Sequence, residues 1–427
     1  MGWLAGAAVR PFPVAVGTPM AGYMARTGPA NGVHDELTVG ALVLRFGDER
    51  LAIVAADVAA VDCALVDEVA EAAGLDRTEL VLCASHTHSG PAGVVPRLHP
   101  ADEDRIAPEL RGAFVATCAA AIGEARGRME PVALLIGASE TSGPAANRND
   151  PDGPFDPRVL VLATRRPDGE LSAVLVHFAC HPTILGADSR LVSAEFPGAL
   201  RRSLRALVDG DGQAPVVLFA NGAAGDVSTR FTRHGQDVAE VERAGAGLAA
   251  AAVAALAGAR PVDGPIRYGR QRVPLPPRSL DDPAAERTEI EGVGGELVSA
   301  AERRKAETRA QGAALLARLV EAGPEAIRAA LDVEAWALGD VVLVAVPGEL
   351  FASLGARIAA ASPSPTLVLG YANGYVGYLA DEAAYAAGTY EALASPFAPG
   401  AGERVAEAGR ELARRVRVGG VTGSGHG

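Results

Sequence analysis

Aromatic side chains are scarce in this sequence. Phe, Trp and Tyr make up 4% of the 427 residues, although 49% of the residues are hydrophobic. The core must therefore be built mainly from Val, Leu and Ala, and the chain is long enough to bury a substantial one. This composition does not indicate a long, aromatic-lined lipid tunnel.

Cysteine is also rare, and its spacing excludes two classes of site. Cys63, Cys83, Cys118 and Cys180 form no CxxC pair and no tight cluster. The pattern excludes a disulfide framework and a thiolate metal site. We expect all four to be small, buried apolar residues.

Positive charge is in deficit. Thirty-nine basic residues face 52 acidic ones, which gives a net charge of −13 without any charged block. This balance argues against nucleic acid and anionic membrane surfaces as partners, and favours a soluble, freely diffusing protein. The oligomeric state is left open.

The N-terminal stretch lacks the features of an export signal. It has no basic leading region, and Arg10 and Pro11 interrupt its apolar residues. It predicts neither a signal peptide nor a membrane span, so we expect no integral membrane contact and a cytoplasmic location.

Strand and helix patterns alternate along most of the chain. Several strand pairs are joined by tight turns, as at Gly47-Asp48 and Gly339-Asp340, so the sheets should be mixed rather than purely parallel. We predict an α/β fold, a single domain with two central mixed β-sheets flanked by helices. The domain should span residues 1–416, with a helical insertion at 280–331 and a disordered tail at 417–427.

The most informative stretch is VLCASHTHSGPAG at Val81–Gly93. A buried strand ends here, and His86 and His88 follow it at the start of a turn. On extended backbone, the side chains of residues i and i+2 point to the same side. They could form a metal-ligand pair, or one ligand beside one acid/base group. Two loop histidines bonded to nearby carbonyls are an equally good interpretation.

Two carboxylates end predicted strands. Asp57 follows Leu51–Ala56 and either caps the next helix, Val61–Ala73, or is catalytic. Glu349 follows Val333–Val346 and either joins the histidines or stabilises the start of the helix at Leu350–Ala361.

Other candidates lie in loops. Arg148 lies in a run of turn residues and suits either a surface ion pair or an oxyanion. His181, just past a strand, is a better ligand candidate than His177, which alternates as a core or pocket residue. Ser228 ends a Gly-rich turn that could present a nucleophile or bind an anion.

Tyrosine is clustered near the C-terminus. Five of the seven tyrosines lie between Tyr371 and Tyr390. In so aromatic-poor a chain, this clustering indicates more than core filling.

These motifs, in this order, resemble the neutral ceramidase family, specifically its catalytic domain without the C-terminal immunoglobulin-like domain. The resemblance extends from about Gly17 to about Glu391. It rests on SHTHSGPAG, ANR at Ala146–Arg148, CHPT at Cys180–Thr183, NGAAGDVS, PGE at Pro347–Glu349, and NGYVGY with TYEA at Thr389–Ala392.

The resemblance implies one zinc ion per chain and hydrolysis of an N-acyl amide through a metal-bound hydroxide. The implied zinc ligands are His86, His181, Glu349 and Tyr378. Imidazole and oxygen ligands suit a zinc that keeps an open position for water, whose pKa it lowers to about 7.

The resemblance also implies roles beside the metal. His88 would be the general acid/base, while Arg148 and Tyr390 would hold the carbonyl oxygen. Ser228 matches a serine given a nucleophile's role in the family, but a metal-activated water makes that role redundant, and we interpret Ser228 as a positioning group.

The leading prediction is a zinc-dependent amidohydrolase acting on a linear N-acyl amide. One alternative keeps the zinc site but performs acyl transfer or lactam formation, and another is a non-catalytic, metal-stabilised binding protein. A metal-independent serine hydrolase is disfavoured because the sequence has no nucleophile elbow.

Overall fold

The computed structural model describes residues 2–100, 102–141, 143–209, 214–279 and 300–418, with side chains in the last range described from residue 306. Its helices are α1 (Cys63–Ala73), α2 (Pro108–Gly127), α3 (Glu195–Val208), α4 (Val238–Ala257), α5 (Ala300–Ala322), α6 (Ala352–Ala359), α7 (Glu382–Ala387), α8 (Tyr390–Ala394) and α9 (Ala401–Val418). Short 3₁₀ helices lie at Arg77–Glu79 and Pro324–Ala326.

The strands divide between long members of the two main sheets and short pairs near the strand ends. They are β1 (Trp3–Pro11), β2 (Gly32–Val33), β3 (Thr38–Phe46), β4 (Glu49–Ala56), β5 (Leu80–Ala84), β6 (Glu130–Glu140), β7 (Ala146–Asn147), β8 (Arg158–Arg165), β9 (Leu171–Phe178), β10 (Leu191–Val192), β11 (Val216–Asn221), β12 (Val227–Ser228), β13 (Arg260–Val262), β14 (Ile266–Pro274), β15 (Ala330–Leu338), β16 (Val341–Ala345), β17 (Glu349–Leu350), β18 (Thr366–Leu369) and β19 (Tyr378–Leu379).

Two mixed sheets form the centre of the molecule, as predicted. The larger has the order β11-β9-β8-β6-β1-β3-β4-β5, with β13 pairing with β6. Most of its pairs are antiparallel, but β4 with β5 and β9 with β11 are parallel. The smaller sheet, β14-β15-β16-β18, is antiparallel except for β16 with β18.

The two sheets pack face to face. Alternate residues of both sheets form one hydrophobic cluster, in which Leu42 and Ile53 of the larger sheet lie with Trp336 and Leu343 of the smaller. This alternation is the period-2 pattern of a strand that buries one face against a partner sheet. The core is mostly Val, Leu and Ala, as the composition requires.

Helices cover the two outer faces. The first four helices pack on the larger sheet, while α6 and α9 pack on the smaller one. Strand β5 is buried along its whole length. It therefore ends inside the molecule rather than at its surface, and the histidine stretch that follows it starts from a buried, rigid position.

The sequence boundaries need small corrections. Helix α5 lies within the range 280–331 predicted to be a helical insertion, but strand β15 already begins at Ala330; residues 280–299 lie outside the described part. Helix α9 continues to Val418 because its apolar face, which includes Leu412 and Val416, is buried. The tail therefore cannot begin at 417, and residues 419–427 are not among those described.

Among the cysteines, Cys83, Cys118 and Cys180 are buried as expected, but Cys63 is partly exposed. It opens α1, and the Arg328 side chain donates a 3.0 Å hydrogen bond to its sulfur. None of the helices described here combines the length and the apolar character that crossing a membrane requires.

Candidate metal and catalytic site

His86 leaves β5 with its backbone in the left-handed region, at φ 65°. Its Nδ1 lies 2.6 Å from the Ala59 carbonyl oxygen, and the Tyr371 ring stacks on the imidazole with 4.1 Å between ring centroids. A carbonyl oxygen only accepts hydrogen bonds, so Nδ1 carries the proton. The Nε2 lone pair of His86 is therefore directed into the site.

His181 is held in the same way from another strand. It follows β9 and is fully buried, and its Nδ1 lies 2.7 Å from the carbonyl oxygen of Ala224. Burial and, next, the positive charge of Arg148 lower the pKa of His181 to about 4. At neutral pH its ring is uncharged, with the Nε2 lone pair exposed to the site.

Glu349 completes a group of three facing acceptors. Its Oε2 lies 2.9 Å from Nε2 of His181 and 3.5 Å from Nε2 of His86. Glu349 lies on β17, which pairs with β19 so that Glu349 is opposite Tyr378. The interpretation of Glu349 as a helix-capping group is wrong, because Phe351 is the N-cap of α6.

This arrangement fits a metal cation. Two imidazole lone pairs and a carboxylate oxygen face one another in a buried space, where acceptors repel unless a proton or a cation lies between them. Fixing each Nδ1–H on a main-chain carbonyl is also how metal-binding histidines are usually oriented. Among the described residues, the nitrogens of His86, His88 and His181 lie within 4.8 Å of one another.

His88 lies beside this group but is more accessible. Its Nε2 is 3.2 Å from Nε2 of His86, and Arg26 donates a 2.7 Å hydrogen bond to its carbonyl oxygen. Burial and the neighbouring His86 and His181 lower the pKa of His88 well below its usual value. The neutral ring can accept a proton.

Arg148 is buried at the other side of the site. Its Nε donates to Glu391 at 2.5 Å, and its Nη2 donates to the Gly225 carbonyl at 2.7 Å and to the Tyr378 hydroxyl at 3.1 Å. The interpretation of Arg148 as a surface ion-pair residue is wrong, because both members of the pair are buried.

Tyr378 and Tyr390 lie edge to face near this guanidinium, with 5.7 Å between their ring centroids. Burial raises the pKa of Tyr378 well above its usual value and that of Tyr390 to about 12. Both phenols keep their protons at neutral pH and can donate hydrogen bonds.

Ser228 lies on β12, whose backbone bridges to His181. Its Oγ accepts a 3.3 Å hydrogen bond from the Arg230 amide. Of the hydrogen bonds described for this side chain, none involves a histidine. The contact favours a positioning role over that of a nucleophile, which needs an adjacent base.

A cavity of about 670 Å³ opens over these groups. Seven of the eight predicted site residues line it, and His181 lies buried behind the wall: the seven are His86, His88, Arg148, Ser228, Glu349, Tyr378 and Tyr390. Tertiary structure thus brings together residues from both sheets and from several loops.

Two other candidates lie elsewhere. Asp57 neither caps α1, whose N-cap is Asp62, nor lines the cavity; it is buried and forms an ion pair at 2.6 Å with the partly exposed Arg201. His177 is a core residue whose Nε2 lies 3.0 Å from the Val368 carbonyl oxygen.

Sequence reasoning assigned no role to three residues that shape the site. Tyr375 donates to Glu349, and Glu391 holds Arg148. Asn221 donates to the carbonyls of Ser85 and Cys180, and thereby ties together the two loops that carry the histidines. Tyr375 lies in the tyrosine cluster and Glu391 in the TYEA motif. The sequence therefore pointed to both regions, although it gave neither residue a role.

A buried histidine and carboxylate group at strand ends, beneath a cavity with perturbed pKa values, could hold a metal ion and is a candidate enzyme site. The family model for the N-terminal part of neutral/alkaline non-lysosomal ceramidases matches residues 13–244, more than half of the chain. The protein belongs to this family. Membership supports a hydrolase that acts on amide bonds.

Solved structures agree in fold. The neutral ceramidase from Pseudomonas aeruginosa superposes with a TM-score of 0.79 at 20% sequence identity, covering 100% of this chain and 76% of that one. A ceramidase complexed with C2 gives a TM-score of 0.76 at 19% identity, covering 98% and 75% of the two chains. At these identities the likeness establishes the architecture.

Proposed function

We propose that the protein is a zinc-dependent amidohydrolase that cleaves a linear N-acyl amide. The observation that carries this proposal is the convergence of the lone pairs of His86, His181 and Glu349 on one buried point at the floor of the cavity. These three residues and Tyr378 would hold the zinc. When bound, zinc supplies a Lewis acid and lowers the pKa of a coordinated water.

The chain's own groups supply the proton transfer. Engaging the His86 lone pair with a cation leaves His88 Nε2, 3.2 Å away, as the proton acceptor at the site. His88 would take up a proton from the attacking water and deliver it to the nitrogen of the leaving amine as the C–N bond breaks, a step worth typically 10²- to 10⁴-fold in rate. The Arg26 hydrogen bond to its carbonyl keeps the His88 backbone in place.

Arg148 and Tyr390 bind the carbonyl oxygen as negative charge develops on it. Both line the cavity, and the Arg148 guanidinium is held by Glu391 and Gly225 before the substrate arrives. Preorganised donors of this kind are each worth about 2.7–4 kcal/mol. Ser228 contributes by fixing the loop that carries Arg230.

The test combines metal analysis with turnover. We expect one zinc per chain, and release of free fatty acid from an N-acyl amide; ceramide is one of the amides to assay, because the Pseudomonas aeruginosa relative is a neutral ceramidase. His88→Ala should abolish turnover while zinc stays bound. His234→Ala, at an exposed histidine, is the matched control and should retain both.

Two outcomes would contradict the proposal. A fully active, metal-free protein would exclude the zinc mechanism, and a zinc-loaded protein that His88→Ala leaves unchanged in every assay would favour a binding protein. Product analysis with a free amine present separates hydrolysis from acyl transfer or lactam formation.

A further inference from the structure

The ring of His88 is held differently from the rings of the two histidines beside it. His86 and His181 each donate Nδ1–H to a main-chain carbonyl oxygen, at 2.6 and 2.7 Å. Nδ1 of His88 is buried, and in the part of the chain that the structure describes no group forms a hydrogen bond with it. A bond on the second nitrogen is the usual way to orient a histidine that transfers a proton. The orientation of His88 must therefore come from packing.

The packing contact outside the metal group is the ring of Tyr23. It lies edge to face with the His88 imidazole, with 4.8 Å between ring centroids and 75° between ring planes. This separation is that of aromatic rings in direct contact. The other ring contacts described for His88 are with His86 at 4.8 Å and His181 at 5.7 Å. Tyr23 and His88 both line the cavity.

Tyr23 is anchored through its hydroxyl and through its ring. The hydroxyl donates a 2.9 Å hydrogen bond to the Leu185 carbonyl oxygen, and the Leu185 amide donates at 2.7 Å to the fully buried Glu195. The Arg26 guanidinium lies 4.9 Å from the centroid of the phenol ring, a cation–π arrangement. Arg26 also donates to the His88 carbonyl oxygen. One side chain thus contacts both the backbone of His88 and the ring that touches its imidazole.

The main chain before Tyr23 also fits closely against His88. A Cβ at Gly22 would lie 2.5 Å from Cγ of His88, so only a glycine lets the backbone pass this near to the imidazole. The Ala21 amide donates a 3.0 Å hydrogen bond to the Gly90 carbonyl oxygen. This bond joins the loop that carries Tyr23 to the turn that carries His88.

The orientation of His88 decides whether it can serve the leaving amine. The proton passes from Nε2 of His88 to the amine nitrogen as the C–N bond breaks, and the ring returns to its neutral form. Because Nε2 performs the transfer, a lasting hydrogen bond on this atom cannot orient the ring. The torsion that turns an imidazole is broad, and a misplacement of about 1 Å can cost about 10²-fold in rate. A group that fixes this ring therefore raises kcat without touching the substrate.

We propose that Tyr23 is a positioning residue for His88, and that its anchored ring keeps Nε2 of His88 directed at the leaving amine. The inference rests on the proposed function and adds to it a residue outside the metal group. Because Tyr23 acts through proton delivery, its loss should matter most for an amine that cannot leave without a proton.

The experiment compares two amides with the same acyl group. N-butyloctanamide releases a strongly basic amine, which must be protonated to leave. Octanoyl p-nitroanilide releases a weakly basic amine, which depends less on a proton donor. Tyr23→Leu should lower kcat roughly hundredfold for the first amide and at most about tenfold for the second, with KM and zinc content unchanged.

Two further variants assign the effect to the ring of Tyr23. Tyr23→Phe keeps the ring and loses the bond to Leu185, so it should retain most of kcat for both amides. Tyr385→Leu, in α7, is the matched control. Tyr385 is also half-buried, donates its hydroxyl to the Phe397 carbonyl at 2.9 Å and has the Arg278 guanidinium 5.9 Å from its ring centroid. This variant should leave the ratio of the two kcat values as in the wild type.

Equal losses for the two amides in Tyr23→Leu would overturn the inference and leave the proposed function standing, because they would show a role in the fold rather than in proton delivery. A Tyr23→Phe protein as impaired as Tyr23→Leu would also overturn it. If the wild type hydrolyses neither amide, the proposed function fails, and crystal structures of the wild type and Tyr23→Leu still decide the inference. A rotated His88 ring in the variant would support it, and an unchanged ring would overturn it.

Discussion

Tyr375 donates its phenol hydroxyl to Oε1 of Glu349 at 2.5 Å. Because this bond occupies one carboxylate oxygen, the other oxygen, Oε2, is the one directed at His181 and His86. Burial raises the pKa of Tyr375 well above its usual value, so the phenol remains a donor. Tyr375 therefore orients the carboxylate of the site without belonging to the histidine group.

Tyr375→Phe removes this bond while keeping the ring. We expect metal affinity to fall about 10- to 100-fold, the usual effect of losing an outer hydrogen bond to a metal ligand. Competition with a chelator measures it. Tyr385→Phe is the control, since that hydroxyl donates to the Phe397 carbonyl and contacts the Ser395 hydroxyl instead; an equal loss in both variants would contradict the assignment.

Gly22→Ala should impair His88 directly. A Cβ at Gly22 would lie 2.5 Å from Cγ of His88, whereas one at Gly17 in the same loop has open space, and both glycines have positive φ. The two substitutions share the backbone strain, so their kcat/KM values isolate the clash. We expect Gly22→Ala to lower kcat/KM at least tenfold more than Gly17→Ala, with metal content equal in both.

Glu391→Gln breaks a buried ion pair. Glu391 is 1% exposed and Arg148 is 9% exposed by side chain, so removing one charge leaves the other buried without its counter-ion. We expect the free energy of unfolding to fall by about 3–5 kcal/mol in denaturant titrations. Asp340→Asn breaks the exposed Arg260 pair and should cost less than about 1 kcal/mol; similar losses would show that burial is not the cause.

Glu195 should make stability depend on pH. Burial raises its pKa to about 8 from an ordinary value of 4.5, so between these values the folded state binds more protons than the unfolded state. The Glu195 contribution is complete below pH 4.5 and is lost as pH rises through about 8. Relative to Glu195→Gln, the wild type should lose up to about 1.4 kcal/mol per pH unit over this window.

Urea unfolding at pH 5, 6.5 and 8 measures this difference. Glu240→Gln is the control, because the Arg243 hydrogen bond lowers the pKa of Glu240. A lowered folded-state pKa removes stability only as pH falls below the unfolded value, so that variant should show no trend above pH 5. If the difference in stability between the wild type and Glu195→Gln does not change with pH, Glu195 is ionised in the folded state.

Local patterns predicted much of the fold and the candidate site. The apolar run at Leu80–Ala84 is the buried strand β5, and the turn at Gly339-Asp340 joins β15 to β16. Each signal lies within a few residues, where periodicity and turn chemistry act. The family resemblance rested on motifs that are also contiguous, which is why membership could be recognised. The cytoplasmic location stays a prediction.

Other assignments depended on contacts between distant segments. Within Asn373–Tyr378, no local rule distinguishes Tyr375, which bonds Glu349, from Tyr378, which lies opposite Glu349 in the strand pair but bonds Arg148. Asp57 suited a helix cap from sequence, yet its partner is Arg201, 144 residues away. Such partners are brought together only by packing.

The sequence by itself determined the strand ends, the residue types delivered there and the family, because these follow from short-range periodicity and contiguous motifs. Only the tertiary structure decided which nitrogen of each histidine faces the site, since a carbonyl 27 residues from His86 holds the other. The reason is physical: a hydrogen bond or a field acts through space, and only folding sets distances between residues far apart in the chain.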